Sequence, residues 1–241
     1  LTSWDPEAIS ISEAKQKPGE SHLLGTDVYG RDMWSRIIFG SRTTLIVALC
    51  AEILQVVSGM LLGLLCGYYN KVEKYLMRIL DAFSTIPNLL LCMLMISVCG
   101  SGVVQMIIAM SIHGIPDVAR MMRNQVLSLR EKEYIESEQA MGASDFRTIF
   151  LHILPACFSY LLIRFTTGLS GMILSMTSLC YLGIGIDPTV ANWGGIVQDG
   201  QQLMFVIPHL VFYPALAICI TVFGFTMLGE GLRDLLDPRL R

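Results

Sequence analysis

Five apolar runs, each close to the roughly 20 residues that carry a helix through a bilayer, leave this chain few ways to fold. They cover 43–69, 76–98, 103–121, 155–182 and 205–232. Hydrocarbon offers backbone N–H and C=O groups no partner, so runs of this length satisfy them internally, as helices. Of the 241 residues, 53% are hydrophobic and only 15% charged, against about a quarter charged in soluble domains. The expected fold class is therefore an all-α membrane protein. A membrane domain spans 43–232, an extracytoplasmic or interfacial segment precedes it at 1–42, and a cytoplasmic tail follows at 233–241.

The polar gaps set the orientation. Lys71, Lys74 and Arg78 follow the first run, Arg123, Arg130, Lys132 and Arg147 follow the third, and Arg233, Arg239 and Arg241 follow the fifth. The gaps at 100–102 and 183–204 contain no Lys or Arg. Positive charge collects on the cytoplasmic side, which places the 123–155 island and the C-terminus inside and, with five spans, the N-terminus outside. Lys15, Lys17, Arg31, Arg36 and Arg42 oppose this, but longer translocated segments obey the rule weakly, and Asp27 and Asp32 lie close by. Residues 1–22 are polar, with no leader and no apolar anchor.

The 123–155 island is the longest polar interruption. Residues 125–141 are rich in Leu, Glu and Ala and read as a helix, and Gly142 stands where a left-handed helix end forms most easily. After a turn, Ser144 is a good N-cap, Asp145 adds charge to the first turn, and Phe146, Ile149, Phe150 and Ile153 share one helical face. Pro155 suits the first turn of a new helix, the next span. The result is a short amphipathic helix-turn-helix at a membrane surface.

This island resembles the cytoplasmic coupling loop, the EAA loop, of permease subunits in ATP-binding-cassette importers. Glu136 opens the triplet, Gly142 has the family offset, and Leu154-Pro155 close the pattern; Ser137 and Glu138 replace its two alanines and His152 its usual Ile. A second stretch resembles the motif near the start of the core in dipeptide, oligopeptide and nickel permeases: Leu24-Gly25-Thr26-Asp27, Gly30-Arg31-Asp32, Ser35-Arg36, Gly40 and Arg42. That family usually has one more membrane helix before this point, so a shortened version is expected here. Met33, Trp34, Ile37, Ile38 and Phe39 suit a helix lying in the headgroup zone. The ending, through Leu232-Arg233-Asp234 and Leu236-Asp237-Pro238, is similar to the family's too.

The resemblance implies a type I importer (MetI-like) transmembrane domain in the cytoplasmic membrane. Its implied partners are a second homologous permease, two ATPase subunits that bind ATP and Mg, an extracytoplasmic solute-binding protein and the bilayer. No cofactor is implied for this chain itself. The implied solute is a di- or oligopeptide, with nickel, a metal chelate or an opine as the alternative. Coupling to the ATPase would fall on Glu136, Ala140, Gly142, Ala143, Ser144, Phe146, Leu154 and Pro155. The glycine-rich loop 183–204, with Asp187, Trp193 and Gly194, would contact the binding protein, form an outer gate, or simply cap the bundle with Trp193 anchored at the interface.

Ionisable residues inside the runs are costly unless paired. At 1.5 Å per residue from Pro155, Arg164 lies about 7 Å to the cytoplasmic side of the midplane. Asp81 and Asp117 come out at similar depth, while Glu52 falls in the outer half. The expectation is that Arg164 pairs with Asp81 or Asp117, leaving Glu52 to water, a polar neighbour or a partner subunit. The four residues either line a pathway or fix helix positions. Gly59, Gly63 and Gly67 make a close-packing face, against a helix of this or a sister subunit. Pro87, Pro116 and Pro214 are candidate breaks or bends.

Other chemistry is thin. There is no GxxxxGK[ST] loop, and the net charge of −3 gives no reason to expect nucleic acid. The seven cysteines lie in or beside apolar runs without a CxxC pair, as buried thiols do. His22, His113, His152 and His209 are scattered, and Met172 and Met176 read as packing residues. The one enzyme alternative, an intramembrane serine hydrolase, would use Ser170 in Gly168-Leu169-Ser170-Gly171 with His113 as base.

Overall fold

The structure is a computed structural model that describes residues 4–236; the expected Asp237-Pro238 ending and the last arginines lie outside them. The described chain is helical: α1 Met33–Tyr68, α2 Asn70–Ser84, α3 Asn88–Cys99, α4 Val103–Arg130, α5 Glu133–Ala140, α6 Asp145–Arg147, a π turn Thr148–Ile153, α7 Leu154–Tyr181, α8 Trp193–Gln201 and α9 His209–Leu236. α1, the continuous helix Asp145–Tyr181 and α9 are long and apolar enough to cross a membrane, and the bent pair α2–α3 makes a fourth if it crosses as one span. The expected third span, 103–121, falls within α4, which Gln105, His113, Asp117 and Arg120 make too polar to count among these candidate crossings, and which packs in the bundle against α1.

Three expectations about boundaries change. The run 76–98 is not one straight helix: α2 and α3 meet at 93° across Thr85-Ile86-Pro87. Pro87 has no N–H, and its ring disfavours helical backbone in the residue before it. Pro116 and Pro214, by contrast, stay inside α4 and α9. The headgroup-zone helix expected around Met33 is instead the first turns of α1, with Met33 and Ile37 buried and Asp32 capping it by accepting from the Ser35 amide at 2.8 Å. Finally, Pro155 stands in the first turn of α7 as expected, but α7 is not separate from the arm. The π turn before it, a common way for a helix to absorb an irregularity, carries α6 into α7 without a break.

Two of the positive charges near the N-terminus, Arg31 and Arg36, are paired. The Asp27 carboxylate accepts from Arg31 Nε at 2.6 Å and from Arg36 Nη1 at 2.9 Å, and Asp199 of α8 receives Arg31 Nη2 at 2.7 Å. His22 Nδ1 lies 2.8 Å from Asp32 Oδ1. These buried groups fasten residues 22–36 onto α8, so the motif around Asp27 builds a cap over the bundle.

α1 and α4 form the most extensive helix pair, and the glycine stripe makes it. A Cβ at Gly59, Gly63 or Gly67 would stand 2.5–2.6 Å from the Cβ of Val118, Met122 or Val126, respectively. The matched numbering shows that the two helices run parallel. The stripe thus packs within this chain.

Gly63→Val is expected to cost roughly 1–3 kcal/mol through overpacking. The checks are the thermal midpoint in detergent and the amount of folded protein recovered; Gly224→Ala, with no atom within 4 Å of its added Cβ, should match the unaltered protein.

Candidate functional site: a surface loop and an intramembrane cavity

The island folds as a bent arm. Ile135 is fully buried and packs with Val126, Ile149 and Ile153, tying α5 to the bundle. Gly142 turns the chain at φ +87° with open space around it, a conformation that suits glycine. Ser144 then caps α6, its Oγ accepting from the Arg147 amide at 3.4 Å. The Asp145 carboxylate accepts from the hydroxyls of Tyr68 at 2.9 Å and Tyr69 at 3.1 Å, which pins the arm to the end of α1.

The four residues expected on one face divide. Ile149 and Ile153 are buried, whereas Phe146 and Phe150 stack outside with ring centroids 4.6 Å apart. Met141 is 81% and Phe146 70% exposed, and Glu136, Ala140 and Leu151 also face out. Leu154 packs at the edge of the same core, and Pro155 opens α7. Two departures from the coupling-loop pattern answer each other: His152 Nε2 lies 2.8 Å from the mostly buried Glu138 carboxylate, with Arg147 Nε at 3.4 Å. An acid placed where the pattern has Ala is matched by a base where it has Ile.

Inside the bundle, the expected pairing is overturned. Arg164 Nη1 meets Glu52 Oε1 at 3.1 Å, while Asp81 and Asp117 both receive Arg120, each at 2.7 Å. Depth counted from the apolar runs misled because the helices overrun them. Glu52 lies 16 residues before Tyr68 and Arg164 19 residues after Asp145, and the Tyr68–Asp145 hydrogen bond sets those two ends level. Arg120, three residues after Asp117, was the missed partner, and that spacing on α4 is its signal.

Glu52 and Arg164 border a cavity of about 230 Å³ between α1, α3, α4 and α7. Gln55, Asn88, His113, Asp117 and Ser175 also line it, and His113 Nδ1 is buried without a hydrogen-bond partner among the described residues. Two glycines make the room: a Cβ on Gly168 would collide with both Arg164 and Glu52, and one on Gly114 with Gln55. Ser170 is not part of this lining. It is half-buried and donates to the Thr167 carbonyl of its own helix at 2.9 Å, so the serine and His113 of the hydrolase alternative do not share the site.

On the opposite side, Trp193 is in the core rather than at an interface. Its indole donates to the Ile37 carbonyl at 3.0 Å and its amide to Thr44 Oγ1 at 3.2 Å, and Gly194 lies against the Thr177 carbonyl, where a side chain would not fit. These contacts lock α8 onto α1 and α7. Asp187 alone of the three outer candidates is exposed, and the Thr189 amide and hydroxyl hold its carboxyl below the usual carboxylate range.

Residues 59–241 match the model of the family described as "Binding-protein-dependent transport system inner membrane component". Among curated relatives, a glutathione transport system permease protein of Pectobacterium atrosepticum is 38% identical over 100% of this chain and 81% of its own. An oligopeptide transport system permease protein of Bacillus subtilis is 36% identical over 100% of this chain and 79% of its own. Among solved structures, the methionine ABC transporter MetNI in an inward-facing conformation aligns with TM-score 0.69 at 20% identity, covering 85% of this chain and 98% of that one. At that identity the likeness is one of fold.

Two outcomes follow from the pairings. Reversing the intramembrane pair (Glu52→Arg with Arg164→Glu) should restore folded protein lost in either single change, each costing roughly 3–5 kcal/mol; exchanging Arg164 with Asp81 or Asp117 should restore nothing. In the arm, His152→Ile alone leaves the Glu138 carboxylate without its closest polar neighbour and should lower the thermal midpoint, and Glu138→Ala added to it should recover most of the loss.

Proposed function

Because the chain belongs to the family of binding-protein-dependent transport system inner membrane components, we propose that this permease moves peptides through the inner membrane and takes its drive from ATPase subunits docked on the 123–155 arm. The family and the apolar helices make it a multi-pass protein of that membrane. Relatives named for glutathione, oligopeptide and dipeptide transport support a small peptide as solute. In this reading the chain transforms nothing covalently and binds no cofactor; ATP and Mg belong to two ATPase partners. A second homologous permease completes the pore, and an extracytoplasmic binding protein delivers the solute on the Asp187 side.

The observation that carries the reading is the arm itself. Met141 and Phe146 are large apolar groups left exposed beside the Gly142 turn, with Leu151 exposed further along the helix, an arrangement that marks an interaction surface. Phe146 also stands at the start of the continuous helix that carries Arg164. When the ATPase pair closes, pressure on Phe146 passes along that helix to the level of the Glu52–Arg164 pair, and the bundle opens to one side of the membrane in place of the other. Partly paired charges and His113 offer a peptide polar contacts as it passes.

Phe146→Ala removes an exposed aromatic anchor, and aromatic anchors at interface centres commonly contribute 2 kcal/mol or more. Retention of ATPase subunits on affinity-tagged permease should fall at least ~30-fold, with the permease still inserted and folded. Gly142→Val, strained at φ +87°, should uncouple ATP hydrolysis from peptide uptake. Full ATPase retention and normal uptake in both variants would refute the docking assignment.

A further inference from the structure

α2 presents three different faces. Toward α4 it turns Glu73, Leu80, Asp81 and Ser84: Arg123 clasps Glu73, Arg120 reaches Asp81 and, at 3.1 Å, Ser84 Oγ, and Leu80 is buried. Away from the bundle, Val72, Tyr75, Ile79 and Phe83 recur at helical spacing and are all exposed, Tyr75 by 67%. Beside this apolar row runs a basic one, Lys71, Lys74 and Arg78, also exposed, with no salt-bridge partner among the described residues. Both acids of α2 are taken up by α4, so the outward surface carries positive charge alone.

The depth of this surface is fixed by its neighbours. α2 starts where α1 ends, and Arg130 Nη1 donates to the Gly67 and Tyr68 carbonyls across the junction at 3.1 and 2.8 Å. Asp145 of the arm meets the same end of α1. α2 therefore sits at the polar boundary of the bundle, on the arm's side, and the 93° bend turns the chain from it into the apolar α3.

We propose that the outward face of α2 binds anionic phospholipid: Lys71, Lys74 and Arg78 take the headgroup phosphates, and Val72, Tyr75, Ile79 and Phe83 enter the upper acyl region. An apolar row flush against a basic row is the pattern of a helix lying in the membrane interface. A juxtamembrane basic cluster is attracted to the anionic cytoplasmic leaflet, the side to which the positive-charge bias assigns this arm. A protein partner is the poorer fit, because lysine is depleted in protein interfaces and this face offers it two out of three cations.

The test uses the intact transport complex, purified in detergent and exchanged against mixed phosphatidylglycerol and phosphatidylcholine, with retained lipid read by native mass spectrometry. The complex should retain phosphatidylglycerol over phosphatidylcholine. Each basic side chain near an anionic surface contributes roughly fivefold, so Lys71→Gln/Lys74→Gln/Arg78→Gln should lower the preference on the order of 100-fold. Lys74→Gln alone should give one such fivefold step, which keeps the test decisive if the triple variant assembles poorly. Undiminished retention in Lys74→Gln and the triple variant would overturn the proposal. So would displacement of the lipid by inorganic phosphate, which marks a free-anion site, or cross-linking of the Lys74→Cys variant to a sister permease or ATPase subunit, which marks a protein interface.

Discussion

The backbone-close packing of α1 on α4 is the constraint on which the other contacts rest. Gly59, Gly63 and Gly67 let the two helices approach until Val118, Met122 and Val126 fill the stripe. In hydrocarbon such an approach is favoured by dispersion and by small residues, since burying apolar surface from lipid gains little. Once α1 and α4 are fixed side by side, the positions of their polar residues follow. Gln55 is set against Gly114, Arg123 and Arg120 project toward α2, and Arg130 reaches back to the end of α1. α2 is held by ion pairs and one buried leucine, and its remaining surface is left free.

The cavity is a consequence of the same economy of volume. Glycine at 114 and 168 leaves space where most helices would place a side chain, and Glu52, Gln55 and Arg164 occupy its margin. A buried carboxylate there is tolerable because Arg164 approaches within 3.1 Å and Gln55 adds an amide at 3.4 Å. Removing one partner leaves the other charge in a medium that solvates it poorly, which is why such pairs fix helix positions whatever else they do.

How much of this was legible in the sequence depends on whether a feature was local. The glycine stripe, the Gly142 turn, the Ser144 cap and the break at Pro87 are each decided within a few residues, and each stands where local rules put it, although the sharpness of the bend at Pro87 was not foreseen. The partner of Arg164 is not local. Its identity depended on where α1 and α7 end, and α1 begins ten residues before its apolar run because Asp32 caps it and the Asp27 network buries Arg36. From its loop alone, Trp193 is open to three readings, a binding-protein contact, an outer gate or an interfacial anchor; only the fold brings Ile37 and Thr44 to its two donors. Glu138 and His152 looked like unrelated departures from a pattern, since fourteen residues and a turn separate two side chains that end up 2.8 Å apart.

A displacement at Phe146 has two routes into the bundle, and they converge. One runs along the continuous helix from Asp145 through the π turn to Arg164; the other passes from Asp145 through the Tyr68 hydroxyl into α1, which carries Glu52. α1 cannot slide on α4 without driving valine and methionine side chains into glycine backbone, so relative motion falls between α1 and α7. That interface is flanked by open space. It borders the polar cavity on one side and an apolar groove of about 280 Å³, between Val56 and Leu161, on the other. Close-packed cores transmit strain, whereas voids absorb it. In the proposed coupling, the stiff pair α1–α4 and the void-flanked contact of α1 with α7 would direct movement of the arm to the Glu52–Arg164 contact.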